Sequence, residues 1–470
     1  MTSFPRRAGF AASCILLSSV CGVLTAQETY FVAARTARTI SEVSSCGTVI
    51  NTIPMTTDLR SCHVAPDGKI WVVRFIQSQF DILNPDGSVF ATVTFSLGSP
   101  YDIAFDAAGH AWVSGGSGVE EFDANGNSLG AIPLATASPL GITVDSDGNK
   151  WIAHRISPPG AVTKIDALTR QPTTFPLTNS QVQPTRIVAD FRGTGVPSHV
   201  WVVGDGTSGE LIEVDSTGTQ VASHVVAAGG QFGSVIADID RTLGTVRNIW
   251  VGDFRSGRVH QVDAASGTTV NTYIVSTDVL GLAIDGFGNL WATTRTTPQV
   301  VRIDPVNGTL EVAADVGAGV QAALSTRYHH ATVVDPHGDL DGDGVSNLLE
   351  VVSGVSPFDS CSQLHASLSI DGPTSLGSTP VLNVTGASSN VTAVAFSLGR
   401  GPAVSVPGIG CAFRMDMNTL VPSSVIVPGA ATVPFPIPNN PRLVGLGLHM
   451  QGLAGPASFT FTNVVCVKIY

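Results

Sequence analysis

The stretch Leu280-Gly281-Leu282-Ala283-Ile284-Asp285-Gly286-Phe287-Gly288-Asn289-Leu290-Trp291 decides the fold. An apolar run, an acidic Asp/Gly turn and a second apolar run opening on tryptophan recur through the chain. All six tryptophans, Trp71, Trp112, Trp151, Trp201, Trp250 and Trp291, close a copy of it, about forty to fifty residues apart. A large residue recurring at that period marks one supersecondary unit copied in a ring or a stack. Each copy goes on to a third run closed by Asp, as in Val162-Thr163-Lys164-Ile165-Asp166, and a fourth such as Thr173-Thr174-Phe175-Pro176. The runs are β-branched and bounded by Asp-Gly or Asn-Gly, where a tight hairpin needs positive φ. Four antiparallel strands per unit predict the blade of a propeller. A tryptophan at one fixed blade position is expected to pack between neighbouring blades rather than stack on a ligand.

The start of the array lacks one strand. Tyr30-Phe31-Val32 falls in the tryptophan strand and Ile40-Ser41-Glu42-Val43 in the third. The missing first strand is expected at the far end, where His330-Ala331-Thr332-Val333-Val334-Asp335 follows the template. Six whole units and this composite predict an all-β seven-bladed β-propeller over 27–338, its ring closed by both ends of the array.

Residues 1–26 carry Arg6 and Arg7, an apolar run from Ala11 to Val23 and a small-residue exit, the pattern of a secretory signal peptide. Localisation outside the cytoplasm, secreted or in the periplasm or envelope, is the expectation. The apolar run is too short for a membrane span. A formal net charge of −12, with basic residues scattered, argues against nucleic acid as partner. Export permits disulfides. Of the cysteines past the leader, Cys46 and Cys62, and Cys411 and Cys466, are nearest in sequence; Cys361 is left over, and the connectivity stays open.

Asp339-Leu340-Asp341-Gly342-Asp343-Gly344-Val345-Ser346-Asn347-Leu348-Leu349-Glu350 matches a twelve-residue calcium loop. Carboxylates stand at positions one, three and five, glycine at six, a backbone carbonyl at seven, Asn at nine and Glu at twelve. Asp339, Asp341, Asp343, Val345, Asn347 and Glu350 are the expected Ca²⁺ ligands, within a linker over 339–361. A short helix from about Asn347 to Ser353 should complete the loop. The stretch resembles the EF-hand-like units of thrombospondin type 3 repeats that join domains, with a role in stiffening the hinge. Over 362–470 the repeat gives way to Ser, Thr, Val, Gly and Pro, with runs such as Val381-Leu382-Asn383-Val384, and a C-terminal β-sandwich is expected. That domain is expected to be an accessory, adhesive or surface-associating one, with cell-surface association as one role.

The propeller units resemble those of NHL-type propellers, and within them the streptogramin B (virginiamycin B) lyase group. Gly141-Ile142-Thr143 with Asp147-Gly148-Asn149-Lys150-Trp151, and Gly281-Leu282-Ala283 with Gly288-Asn289-Leu290-Trp291, carry the likeness. It implies a ligand site at the channel mouth, built from residues that open the innermost strands and follow the tryptophans. Arg60, Tyr101, Asp102, Arg186 and Arg295 are the expected ligand-binding residues, with a small molecule, glycan or peptide as partner. In that group catalysis uses a His before a repeat's Gly-Ile and a Glu after Trp, with Mg²⁺. His330 and Asp253 fall nearest to those positions, as base and partner for a lyase or lactone-opening step. No repeat has Glu at the family position, and His330 is followed by Ala. A binding or scaffold module is therefore the leading expectation, and a metal-dependent lyase the alternative. Neither zinc-ligand spacing, a phosphate-binding glycine loop nor a Gly-x-Ser-x-Gly elbow occurs.

Overall fold

A computed structural model describes the chain from Thr29 to Lys468, apart from short loop stretches of which 341–345, 353–366, 386–391 and 442–446 are the longest. The expected leader at 1–26 and Cys46, Cys361 and Cys411 lie outside the described residues, as does the side chain of Cys466. Seven four-stranded antiparallel sheets form the blades. Their innermost strands are Gln321–Ser325, Leu59–Val64, Pro100–Phe105, Pro139–Val144, Gln183–Ala189, Phe232–Asp240 and Val279–Ile284, and each neighbours the next around a closed ring. We number the blades from one to seven in that order. All six tryptophans stand in second strands.

Each tryptophan reaches across to the next blade. Trp71 meets Phe105 edge-on at 5.8 Å, Trp112 clusters with Ile142, Trp201 with Ala237, and Trp250 with Ile284. Trp291 packs on Tyr30 with ring centroids 4.5 Å apart and planes tilted by 35°, joining blade seven to blade one. Burial of each indole contributes about 1.5–3 kcal/mol. A polar clamp fixes the ring: in five blades the indole Nε1–H donates to an Asp just past the end of the innermost strand, or two residues before its end in blade six. The pairs are Trp112 to Asp106 and Trp151 to Asp145 at 2.8 Å, Trp291 to Asp285 at 2.9 Å, Trp201 to Asp190 at 3.0 Å and Trp250 to Asp238 at 3.3 Å. Asp145 and Asp285 also accept from Asn149 and Asn289, so one carboxylate holds the hairpin turn and the indole together. Blade two has Ala65 at this place, and there Trp71 stacks on Phe80 at 5.1 Å.

Ring closure differs from the expectation in one respect. The strand that completes blade one is Gln321–Ser325, paired antiparallel with Thr29–Ala34, and His330–Val334 is instead a π-helical turn. The reason is connection length. Elsewhere four to six residues pass from the outer strand of one blade to the inner strand of the next, and Leu310–Asp315 reaches Gln321 in the same span. A strand beginning at His330 would need a connection more than twice as long. The apolar run and Asp-Gly pattern of 331–338 copy the template, but the ring is already closed.

The displaced segment plugs the end of the channel where the innermost strands finish. Thr326 Oγ1 donates to Ile284 O at 2.6 Å, Arg327 Nη1 to Pro66 O at 3.0 Å and Tyr328 Oη to Asp238 Oδ1 at 3.0 Å, while His329 Nε2 lies 3.2 Å from Thr143 Oγ1. Blades seven, two, six and four are thereby tied to one short turn. Helix Asn347–Val352, expected to about Ser353, docks on the plug. Asn347 Nδ2 donates to Asp335 O at 2.7 Å, and Val351 is fully buried in the same core cluster as Tyr328 and Val333. The linker's start is therefore part of the propeller's packing rather than a free hinge.

Beyond it lie a three-stranded sheet of Ser367–Asp371, Val381–Thr385 and Ala431–Pro434, a five-stranded sheet that includes Gly447–Ala454 and Phe459–Lys468, and a two-stranded ribbon. These strands make up the region expected to fold as a sandwich. Cys62 is a buried free thiol whose Sγ donates to Phe31 O at 3.6 Å, so the Cys46–Cys62 pairing is not made. Burial pushes that thiol's pKa up to about 12. Among the described residues no helix is long and apolar enough to cross a membrane.

Two predictions follow from this packing. Asp145→Ala strands a buried indole N–H and should cost about 1–3 kcal/mol, read as a lower urea midpoint at constant m-value; an unmoved midpoint would deny the clamp its role. Acid should attack the plug. Burial, then the charge of His330, depresses His329 from 6.5 to about 4. Burial, then Arg327, does the same to His330 against the pull of Asp106. Unfolded chain binds protons that the plug refuses, so this stabilisation is full above about pH 6.5 and is lost as pH falls to about 4, on the order of 2–3 kcal/mol per histidine. A His329→Gln/His330→Gln variant should show a shallower fall of Tm across that window than the parent, and an identical slope would contradict the assignment.

Candidate functional site

The opposite end of the channel, where the innermost strands begin, holds a cavity of about 840 Å³. Two repeat positions build its wall. In every blade the first residues of the innermost strand carry a β-bulge, one extra residue against the second strand. A bulge leaves its residue unpaired in the ladder and re-aims it. Arg60, Tyr101, Leu140, Thr185, Gly233 and Leu280 are those residues in blades two to seven, and all six line the cavity. Ala322 takes the place in blade one at which the sequence pattern had put His330. The second position lies four residues past each tryptophan. Gly116, Arg155, Asp205, Phe254 and Arg295 occupy it, and pairing of Phe31 with Glu42 puts Phe31 at the tryptophan position of blade one and so Arg35 on the rim.

Alternation along a strand explains what sequence reasoning mis-aimed. The residue three past each tryptophan faces the other way, into its own blade. Arg74 makes a two-pronged contact with Asp81 at 2.6 and 2.8 Å, and His154 lies 2.7 Å from Thr163 Oγ1. Asp253 is buried and caps its turn: Oδ1 accepts from the N–H groups of Gln231, Arg255 and Ser256, and Oδ2 from Ser256 Oγ at 2.7 Å. It is a structural carboxylate. His330 lies at the plugged end beside Phe105 and Asp106, and Asp253 at the open end, so the structure does not bring the expected base and partner together. Arg35 was missed, although four past the tryptophan position is a periodic signal; it was hidden because blade one has Phe there.

Arg60, Tyr101, Arg186 and Arg295 do meet around one cavity, with Asp102 just beneath. The Arg60 guanidinium lies over the Tyr101 ring at 4.4 Å and that of Arg186 at 5.0 Å. Arg186 reaches from blade five past blade four because Gly141 stands at the matching place. A Cβ there would come within 2.8 Å of Thr185 O and 2.9 Å of Arg186 Cα, so only glycine lets the blades approach this closely. Asp102 Oδ1 is 2.9 Å from His63 Nε2, an ion-pair distance off the line of a hydrogen bond. Burial raises the Asp102 carboxyl, but contact with His63 and the charge of Arg186 outweigh it and hold the group below its ordinary value. Arg155 pairs with Asp205 at 2.6 Å. Among the described residues five arginines and one carboxylate, Asp205, line the cavity, and no histidine does.

Of the expected calcium ligands, Asp339 is exposed, Asn347 and Glu350 are buried at the start of helix Asn347–Val352, and Asp341, Asp343 and Val345 lie outside the described residues. Leu340 N–H donates to Asn347 Oδ1 at 2.9 Å and Asn347 N–H to Gly338 O at 2.8 Å, which closes the loop on itself. A buried carboxylate at position twelve of a closed loop fits a hard cation. A second acidic group, Asp106, His110 and Glu121, has ligand-type atoms within 4.8 Å of one another. There Asp106 already accepts from Trp112 and two backbone N–H groups, and Glu121 is paired with Arg170 and His110, so it reads as the ion-pair network of a blade turn.

No protein-family model matches the chain, and no curated protein does. Solved structures similar to it are propellers. A streptogramin B lyase structure is 16% identical, covering 58% of this chain and 92% of its own, with a TM-score of 0.48. Selenomethionine-substituted virginiamycin B lyase from Staphylococcus aureus is 16% identical over 58% of this chain and 94% of its own, with a TM-score of 0.47. The WD40 β-propeller domain of Doa1 is 11% identical over 55% and 82%, with a TM-score of 0.44. These likenesses concern the propeller frame, and no residue role is transferred from them.

Proposed function

We propose that this chain is an exported binding or scaffold module whose propeller mouth holds a small molecule, glycan or peptide without chemistry upon it. The observation that carries the reading is the division of the expected catalytic pair between the two ends of the channel, while the cavity itself is lined by positioning groups. A general base must reach the proton it removes. The carboxylate in the cavity wall, Asp205, is already bound by Arg155, and the His–carboxylate contact nearest the cavity wall in sequence, His63 with Asp102, lies below Tyr101. The signal-peptide pattern at 1–26 supports export to the envelope or outside the cell, and the strands past Ser367 offer a region that could serve surface attachment.

The test is turnover of a streptogramin B-type cyclic depsipeptide and a panel of small lactones with Mg²⁺ present, beside His330→Ala and His63→Ala variants. No turnover above the variants is expected. Turnover abolished by either substitution would overturn the binding reading in favour of a lactone-opening lyase.

The linker is proposed to hold one Ca²⁺ through the loop Asp339 to Glu350, the ion supplying a rigid centre that orients the start of the helix. Since that helix is packed on the plug, the propeller should feel the ion. Calcium at a hundred times its Kd should stabilise by about 2.7 kcal/mol, seen as a rise in Tm that chelator reverses and Glu350→Gln removes. Titration without heat and with no change in Tm would exclude the site.

A further inference from the structure

We propose that the mouth cavity takes a small organic oligoanion, carrying two or more carboxylate, sulfate or phosphate groups, in the grip of Arg35, Arg60, Arg155, Arg186 and Arg295. This rests on reading the mouth as a binding site and narrows its ligand class.

Charge distribution is the first support. The chain carries a formal −12, yet five of its 24 basic residues line one cavity against a single carboxylate. A scattered surface would not collect them there, and like charges drawn together repel, offset in part by Asp205 on Arg155. Burial first, and then the charges of Arg186 and Arg35 working against Tyr101, push the Arg60 guanidinium below its ordinary pKa. An anion seated among them relieves that repulsion.

The choice of side chain is the second support. All five are arginine and none is lysine. A guanidinium presents a planar fork that matches an oxyanion through two parallel hydrogen bonds, whereas an ammonium acts as a point charge. The guanidiniums of Arg60 and Arg186 both lie over the Tyr101 ring, at 4.4 and 5.0 Å, which holds two of these forks together on one part of the wall. Positions are fixed as well: Arg60 sits on a bulge that aims it inward, and Arg35, Arg155 and Arg295 occupy the same place in three blades.

Size and the remaining wall make the ligand organic. About 840 Å³ is far more than an inorganic ion fills, and Leu140, Phe254 and Leu280 offer apolar surface beside the guanidiniums. A compact body with several anionic substituents satisfies both kinds of wall.

The experiment is calorimetric titration of the full chain with citrate, trigalacturonate, a sulfated disaccharide and inorganic phosphate, and with the methyl ester of trigalacturonate as a neutral counterpart. At least one organic oligoanion should bind ten times more tightly than phosphate. If it is trigalacturonate, it should lose at least tenfold on esterification. Arg60→Gln and Arg295→Gln should each weaken binding about tenfold with Tm unchanged, and raising salt should weaken it further. Affinity equal for ester and acid, or unmoved by both arginine substitutions, would overturn the assignment. So would binding of phosphate as tight as that of any organic anion. Binding of the neutral ester alone would sink the anion class and leave a binding module standing, whereas turnover in the lactone assay would sink the module reading whatever the anion titrations gave.

Discussion

The hydrogen bond from a buried indole to the carboxylate at the end of the innermost strand is the constraint on which the ring depends. It joins the second strand of a blade to the turn before it, and the same indole lies on the next blade, so one side chain sets both the hairpin and the angle between neighbours. A carboxylate so placed is costly unless it is bonded. Burial raises the carboxyl pKa of Asp145 and of Asp190, and the donors around each pull it back. That opposition makes the position specific: a blade in which the indole moves leaves a buried charge with too few donors. Blade two shows the alternative, with Ala65 in place of the acid and aromatic packing among Trp71, Phe80 and Phe105 in place of the clamp.

This is why the frame was legible in the sequence. Tryptophan, Asp-Gly turns and β-branched runs are strong local signals, and they recur in step. What was not legible is direction. A strand tells which residues share a face only when its register is known to a single residue, and each innermost strand carries an extra residue just where it enters the mouth. The bulges preserved the positions expected to open the innermost strands, because those are the bulged residues themselves. They gave no help past the tryptophan, where Asp253 and Arg295 belong to opposite faces although both follow an indole closely. The clamp itself was also missed as an interaction, though Asp285 and Trp291 both stand in the repeat that decides the fold.

His330 illustrates a different limit. Its segment copies the repeat well enough to be aligned with it, yet the copy is spent on a plug. Local pattern cannot tell a strand from a short buried turn when both need an apolar run, and only the length of the preceding connection discriminates. The C-terminal region repeats the point: its strands were expected from composition, while their grouping into sheets depends on pairings between residues far apart, such as Val394 with Val425 and Gly452.

The two ends of the channel are built in opposite ways. At the mouth, guanidiniums from blades one, two, four, five and seven line one cavity, that of blade four paired with Asp205. At the closed end, one turn bonds to blades two, four, six and seven and holds its histidines uncharged. Protonating His329 or His330 there would add positive charge beside Arg327 and loosen the fastening. The helix that begins at Asn347 adds to that fastening, since its Val351 shares the core of Tyr328 and Val333. Packing of the linker on the plug therefore bears on the mouth through the ring that both ends share.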